Sequence, residues 1–377
     1  MNPSPISAED KEFLDLALKL AKRGLGQTWP NPSVGALVVD QANGGEVIAR
    51  GWTSPGGRPH AERIALDQAG SRAKGATMYV TLEPCAHHGE TPPCADAIIE
   101  AGIGRLVCAM RDPDHRVAGK GFARLSEAGV DVSLAADDGE ASWLALGHAL
   151  RQKTGRPFIQ LKLAVGADGR LAAADGAGSP VWVTGKEARA RGHLLRARAD
   201  AIIIGKGTAF ADNPELTCRL PGLLPRSPVR VVLDSRLCLE PGARLIETID
   251  AARLWIICSE TAETKRKVVF EEKGVRVIPV TTDKTGRIDL SSAFEFLARE
   301  GLTRVLVEGG PTLAGACLEA DLIDEAVFFT GCQDVGEAGL LPFVDAKLDR
   351  LTGSRNYRLA SERTVGADRM AIYRRAA

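Results

Sequence analysis

The chain has 377 residues, enough for two or three domains with sizeable cores. Hydrophobic residues make up 45% and charged residues 25%, and 48 basic side chains balance 48 acidic ones. A formal charge of zero excludes the basic coat that nucleic acid or an acidic membrane surface requires, and no apolar run approaches the roughly 18 residues of a membrane span.

Met1-Asn2-Pro3-Ser4-Pro5 holds no basic stretch leading into an apolar one, so no secretory leader is expected. Eight cysteines then read as reduced thiols or metal ligands of a cytoplasmic protein. Ser7 with Asp10 predicts a helix N-terminus, and Phe13, Leu14, Ala17, Leu18 and Ala21 continue at helical spacing to Gly24. Two strands, Val34 to Asp40 and Val47 to Gly51, flank the turn Asn43-Gly44-Gly45. A helix from His60, a strand Met78 to Leu82, a helix Pro92 to Ala101 and a strand Arg105 to Met110 follow. A helix Gly121 to Ala128, a strand Val130 to Leu134 and a helix Ser142 to Leu150 complete a helix-covered sheet over residues 1–150.

The polar run Arg151 to Pro157 is the expected linker. Alternation restarts with strand Phe158 to Val165, helix Lys186 to Arg198 capped by Thr184 with Glu187, and strand Ala201 to Gly205. Strands at Val229 to Asp234, Leu254 to Cys258, Val275 to Val280, Arg304 to Val307, Glu325 to Thr330 and Arg369 to Tyr373 make residues 157–377 a second α/β domain.

The chemistry concentrates in His60-Ala61-Glu62, Cys85 and Cys94. One imidazole and two thiolates neutralise Zn²⁺ with three ligands and leave a fourth position for water, the catalytic arrangement. Zinc lowers the pKa of that water to roughly 7. Residues two apart inside a helix point about 200° apart. Pro59 instead places His60 at a helix start, where it can act as ligand while Glu62 shuttles protons to the same water. Cys94 follows the helix-start pattern Thr91-Pro92-Pro93, with Thr91 as candidate cap. Histidine-x-glutamate with two later cysteines is the zinc-deaminase pattern, although eight residues rather than two separate these cysteines. A closed structural site would recruit His87 or His88, which with His115 otherwise read as loop residues. Asn31, in Asn31-Pro32-Ser33-Val34-Gly35, is either a turn residue or an amide at the pocket rim. Cys108, Cys258 and Cys317 read as small core residues.

His60-Ala61-Glu62 and the segment Thr81-Leu82-Glu83-Pro84-Cys85-Ala86-His87-His88-Gly89-Glu90-Thr91-Pro92-Pro93-Cys94 resemble the bifunctional deaminase/reductases of riboflavin biosynthesis. Asn31 to Gly35 and Arg111-Asp112-Pro113-Asp114 fit the same family. The resemblance implies a cytidine-deaminase-like three-layer domain that removes an amino group from a phosphoribosylated diaminopyrimidinone, with Asn31 touching substrate.

In the second half, glycine turns Gly205-Lys206-Gly207-Thr208 and Glu308-Gly309-Gly310-Pro311-Thr312 follow apolar strands. Two such turns at strand ends of one sheet suit a phosphate-bearing ligand, without matching the dinucleotide fingerprint. Leu161-Lys162-Leu163, Asp168-Gly169-Arg170, Trp182 to Gly185, His193 to Arg196, Ala211 to Pro214, Leu216 to Arg219 and Leu233 to Arg236 are similar to the family's reductase domain. That domain has a dihydrofolate-reductase-like fold and uses NADPH to reduce ribosyl to ribityl. The resemblance implies a cofactor site of Ala164, Trp182, Thr208, Asp212, Ser235 and the run Gly310, Pro311, Thr312, Leu313, Ala314, Gly315 and Ala316. It implies substrate contacts from Ser179, Arg196, Leu216, Arg219 and Glu308, with Arg196 suited to a phosphate by its planar fork. The stretch Asp175 to Trp182 departs from the family's Ser-Gly-Glu-Ser-x-Trp pattern. A homo-oligomer, dimer or higher, is also implied. The rival readings are a nucleotide- or tRNA-directed deaminase with a non-reducing second domain, and a zinc-stabilised scaffold without turnover.

Overall fold

The computed structural model describes residues 6–89, 92–114, 118–136, 139–172, 181–344 and 346–376. The chain divides into two compact units, residues 1–156 and 157–377. Among the described residues no helix is long and apolar enough to cross a membrane.

The first unit runs α1 (Ala8–Gly24), β1 (Gly35–Asp40), β2 (Glu46–Trp52), α2 (Ala61–Ala69), β3 (Thr77–Val80), α3 (Cys94–Glu100), β4 (Arg105–Cys108), α4 (Lys120–Glu127), β5 (Asp131–Leu134) and α5 (Glu140–Thr154). Ser7 and Asp10 form the expected reciprocal capping box of α1. The sheet order is β2-β1-β3-β4-β5, with β1 antiparallel to both neighbours and β3, β4 and β5 parallel. Alternate residues bury on opposite faces. Ala36, Val38, Met78, Val80 and Leu106 face α2, α3 and α4, whereas Leu37, Val39, Tyr79 and Val107 face α1 and α5. Three layers follow directly from this alternation. Glycine permits the tightest contacts: a β-carbon on Gly35 would come 2.0 Å from the Ala17 carbonyl of α1, and one on Gly51 2.2 Å from the Ala61 carbonyl of α2.

The expected linker is largely helix. α5 extends through Thr154, because Arg151, Gln152 and Lys153 are good helix formers with a solvated face, and only Gly155 (φ 70°) stops it.

The second unit runs β6 (Phe158–Val165), α6 (Lys186–Arg196), β7 (Ala201–Gly205), α7 (Lys206–Asp212), β8 (Val229–Leu233), α8 (Arg244–Glu247), β9 (Leu254–Ser259), α9 (Thr264–Glu271), β10 (Arg276–Val280), α10 (Leu290–Arg299), β11 (Arg304–Val307), α11 (Pro311–Glu319), β12 (Glu325–Thr330), α12 (Asp349–Thr352), β13 (Tyr357–Val365) and β14 (Asp368–Arg375). Its sheet order is β10-β9-β8-β7-β11-β6-β12-β14-β13, parallel from β10 to β12 and antiparallel from β12 to β13. β7 and β11 are buried almost throughout, as parallel strands covered on both faces should be. One expectation needs correction, and one strand was not expected. Gly185, not Thr184, is the N-cap of α6; the Gly185 N–H donates to Asp368 at 2.7 Å and the Thr184 carbonyl accepts from Arg189 at 2.7 Å. β13 escapes the periodicity because Arg358 to Thr364 are exposed on both faces, a charged edge strand with no apolar side to read.

β11 inserts between β6 and β7, so the C-terminal ends of β6, β11, β7 and β8 open side by side where the strand order reverses. Cys108, Cys258 and Cys317 are buried among apolar neighbours, as their surroundings in the sequence suggest.

Candidate functional site

In the first unit, the end of β3 meets the starts of α2 and α3. His60 is the N-cap of α2 with extended backbone (φ −70°, ψ 159°), and Glu62 falls in the first helical turn. Standing outside the helical spiral lets His60 meet a side chain only two residues on. α3 begins at Cys94 with Pro93 as its N-cap; Thr91 lies outside the described residues, as does His115. The Cys94 N–H donates to Cys85 Sγ at 3.3 Å and the Ala95 N–H to the Cys85 carbonyl at 3.1 Å. The helix start therefore holds the loop cysteine.

The ligand atoms of His60, Cys85 and Cys94 all lie within 4.8 Å of one another. His60 Nδ1 is 3.3 Å from Cys94 Sγ and 3.8 Å from Cys85 Sγ, so Nδ1 is the ring nitrogen that faces both sulfurs. On the far side of the ring, Nε2 lies 3.4 Å from the Asn31 amide nitrogen, which itself donates to the Gly57 carbonyl at 2.9 Å. The Asn31 N–H meanwhile closes a turn onto Thr28. Asn31 is thus a turn residue whose amide sits against the cluster. His87 and His88 are exposed and take no part in the group, so the closed four-ligand arrangement is not formed.

Hydrogen bonding from the Cys94 thiol, with His60 and the Cys94 N–H, holds the Cys85 thiol well below its ordinary range. The same contact, burial and the nearby Glu62 push Cys94 up. The two sulfurs share one proton, and a divalent cation is what would release it. Hydrogen bonding to Cys85 also raises His60. Glu62 is 4% exposed; burial pushes its carboxyl up against the pull of His60. One imidazole and two thiols around a common centre fit zinc in composition and leave a fourth position.

Glu83 is a residue the sequence reading passes over. It is 3% exposed, and its carboxylate accepts the N–H groups of Gly119 (3.0 Å), Gly121 (3.0 Å) and Asp112 (3.3 Å). It ties the loop before Cys85 to the start of α4 and to the acidic turn. A glutamate next to a proline in an otherwise apolar stretch was the available signal.

In the second unit, the strand ends open into a groove of about 1400 Å³. Ala164, Trp182, Thr208, Asp212, Ser235, Gly310, Pro311, Thr312, Leu313, Ala316, Arg196, Leu216, Arg219 and Glu308 all line it. Ala314 and Gly315 do not: Ala314 is fully buried, and Gly315 packs against the backbone of Val344. Ser179 lies outside the described residues. The two glycine turns are joined, since the Gly310 N–H donates to Thr208 Oγ1 at 3.0 Å. Trp182 is 59% exposed with the Arg189 guanidinium 4.8 Å over its ring.

Arg196 is not available as a free phosphate fork. Its Nε and Nη2 donate to the two Glu308 oxygens at 2.8 and 2.9 Å, and Nη1 donates to the Thr217 carbonyl at 3.1 Å. Lys162 Nζ lies 3.9 Å from the same carboxylate. Burial opposes ionisation of Glu308, but Arg196 and Lys162 prevail and hold its pKa at about 2. Lys162 itself is pulled below its ordinary range by burial. In the sequence it is the lone cation of the apolar strand β6. Asn213 (φ 35°) and Leu216 (φ 59°), at the two ends of the next loop, have left-handed backbone, and the loop is pinned from outside. Buried Arg230 donates to the Glu215 carbonyl at 3.1 Å, and Arg244 pairs with the Glu215 carboxylate.

The RibD C-terminal domain family matches residues 157–370, and the cytidine and deoxycytidylate deaminase zinc-binding region matches residues 7–110. The riboflavin biosynthesis protein RibD of Escherichia coli K12 is 39% identical over 371 residues, covering 96% of this chain and 98% of its own. Acinetobacter baumannii RibD superposes with a TM-score of 0.83 at 33% identity, covering 98% of this chain and 99% of its own. A Thermotoga maritima diaminohydroxyphosphoribosylaminopyrimidine deaminase/5-amino-6-(5-phosphoribosylamino)uracil reductase does so with a TM-score of 0.82 at 33% identity, with the same coverage. The three-layer unit is thus a cytidine-deaminase-like fold and the nine-stranded unit a dihydrofolate-reductase-like one. With its cluster of His60, Cys85 and Cys94, its strand-end groove and relatives matched end to end, the chain belongs to the RibD family of bifunctional deaminase/reductases of riboflavin biosynthesis.

Proposed function

We propose that residues 1–150 deaminate a phosphoribosylated 2,5-diaminopyrimidinone with zinc, and that residues 157–377 reduce the ribosyl group of the product to ribityl with NADPH. The observation that carries this reading is buried Glu62 beside the His60, Cys85 and Cys94 cluster. His60 Nδ1, Cys85 Sγ and Cys94 Sγ would hold the metal. Zinc bound there acidifies a water to a pKa of roughly 7. Glu62 takes a proton from the attacking water and returns it to the amino nitrogen that leaves as ammonia; its raised pKa favours that exchange. Asn31, fixed against His60, offers its amide to the ring being attacked.

NADPH supplies the hydride in the second step. Trp182, Thr208, Asp212, Ser235 and Gly310 to Leu313, with Ala164 and Ala316, cradle it along the strand ends. Leu216, Arg219 and Glu308 face the substrate, and Arg196 acts by holding Glu308. Opening the ribosylamine ring requires a proton on the ring oxygen, and Lys162, with its lowered pKa, is the donor within reach of Glu308. An assay that follows ammonia and NADPH together tests the whole reading. Ammonia should appear first and NADPH loss should follow; zinc-replete protein giving neither would overturn it.

The protein is further proposed to be a cytoplasmic homo-oligomer. Free cysteines throughout support a reducing compartment. Light scattering on the purified chain tests the oligomeric state.

A further inference from the structure

His193 has no part in the steps above, yet it lines the groove beside Arg196, Leu216 and Arg219. It lies on α6, one turn before Arg196. Its carbonyl accepts the Cys218 thiol at 3.3 Å, and its Nδ1 accepts the backbone N–H of Arg219 at 3.3 Å. A ring nitrogen that accepts an N–H carries no proton, so in the neutral ring the proton is on Nε2. Burial, with the Arg196 and Arg219 guanidiniums, lowers the pKa of His193 to about 4. At neutral pH this groove residue is therefore uncharged, with its N–H on Nε2.

The charged residues around it offer different chemistry. Arg196 is committed to Glu308 and to Thr217. An ionised Glu308 only accepts. Lys162 and Arg219 are cations, suited to the anionic end of a ligand. A neutral donor suits an oxygen that carries no charge, and the reductase substrate proposed above has several.

We infer that His193 donates from Nε2 to an uncharged oxygen of the reductase substrate, a sugar hydroxyl or a ring carbonyl, and so selects for the sugar-bearing pyrimidine independently of its phosphate. This inference rests on the reductase reading.

The test is steady-state reduction of 5-amino-6-(5-phosphoribosylamino)uracil by the full-length chain at saturating NADPH. Two variants separate the roles of the ring. His193→Asn keeps an acceptor at the Nδ1 position for the Arg219 N–H but places nothing at Nε2, whereas His193→Gln carries an amide N–H to the Nε2 position. Loss of one neutral hydrogen bond should raise the substrate KM of His193→Asn about tenfold, with kcat and the NADPH KM within about twofold of wild type. His193→Gln should recover most of that loss. The penalty should persist on the dephosphorylated substrate. If it vanishes on a 2′-deoxyribosyl analogue the partner is that hydroxyl, and if it persists there the partner is another uncharged oxygen; both support the proposal. Wild-type behaviour in His193→Asn with impairment in His193→Gln would show that the ring only anchors the Arg219 loop and would overturn it. So would a penalty confined to the phosphorylated substrate. Wild-type protein that consumes no NADPH with this substrate would instead refute the reductase reading.

Discussion

Arg196→Met separates an anchor for Glu308 from a ligand for phosphate. The wild-type pair is bidentate, and the Glu308 side chain is only 9% exposed. Its pKa falls from an ordinary 4.5 to about 2. At about 1.4 kcal/mol per tenfold change, that is on the order of 3 kcal/mol of stability at neutral pH. The sign follows from a folded pKa below the unfolded one: the contribution is complete above about pH 4.5 and fades as pH falls towards 2. Arg196→Met leaves the carboxylate with Lys162 alone, 3.9 Å away, so roughly 3 kcal/mol should be lost at pH 7. Because Glu308 protonates more readily in the variant, less stability remains to be lost on acidification. Hydrogen exchange of the β6 and β11 amides reads this unit's opening free energy separately from the first unit's. Reductase kinetics supply the second readout. The variant should lose kcat/KM about equally on phosphorylated and dephosphorylated substrates, and its activity should acquire an acid limb that wild type lacks. A stability cost under about 1 kcal/mol, with a KM rise confined to the phosphorylated substrate, would refute the argument and return Arg196 to the phosphate.

Three further outcomes are expected. Glu62→Gln should slow ammonia release by at least about a hundredfold while sparing NADPH oxidation on the deaminated substrate; equal slowing of both steps would mean damage rather than lost proton transfer. Removing the metal with a chelator should stop ammonia release only, zinc should restore it, and Cys85 in the metal-free chain should react with alkylating reagents ahead of Cys94, because it holds the thiolate. Glu83→Gln cannot accept all three backbone N–H groups, so the first unit should lose about 1–3 kcal/mol and bind zinc roughly tenfold more weakly, measured by thermal melting and by competition with a chromogenic chelator.

What the sequence makes legible here is local. Cysteine, histidine and glutamate at proline-flanked helix starts have few other uses, and the cluster of His60, Cys85 and Cys94 forms where those starts meet. The glycine turns at Gly205 and Gly310 open helices at adjacent strand ends for an equally local reason. Long-range pairings carry no such mark. Arg196 reads as one arginine among several on a helix, and its partner Glu308 stands 112 residues away. Taking Gly310 to Ala316 as an unbroken lining ignores the helix α11 that starts there, whose period turns Ala314 into the core while Thr312, Leu313 and Ala316 face the groove; Gly315 packs against the Val344 backbone. Periodicity also fails for β13, which has no apolar face, and for the end of α5, whose polar residues mimic a linker.

The two sites select their ligands by opposite charge. In the first, a thiolate on Cys85, a proton held on Cys94 and a buried carboxyl on Glu62 leave an electron-rich centre that suits a cation. Cys85 and Cys94 would hold a divalent ion as thiolates, with loss of the Cys94 proton, so metal affinity in this unit should rise with pH until that thiol is fully ionised. In the second, two cations, Arg196 and Lys162, stand against one carboxylate, Glu308, and His193 adds no charge at neutral pH. That leaves a net positive charge at the strand ends, fit to receive an anionic substrate and to steady the electron density that a hydride brings. Neutralising Lys162 should therefore weaken the reductase far more than the loss of one hydrogen bond would, while the first unit, which has no use for that charge, continues to release ammonia.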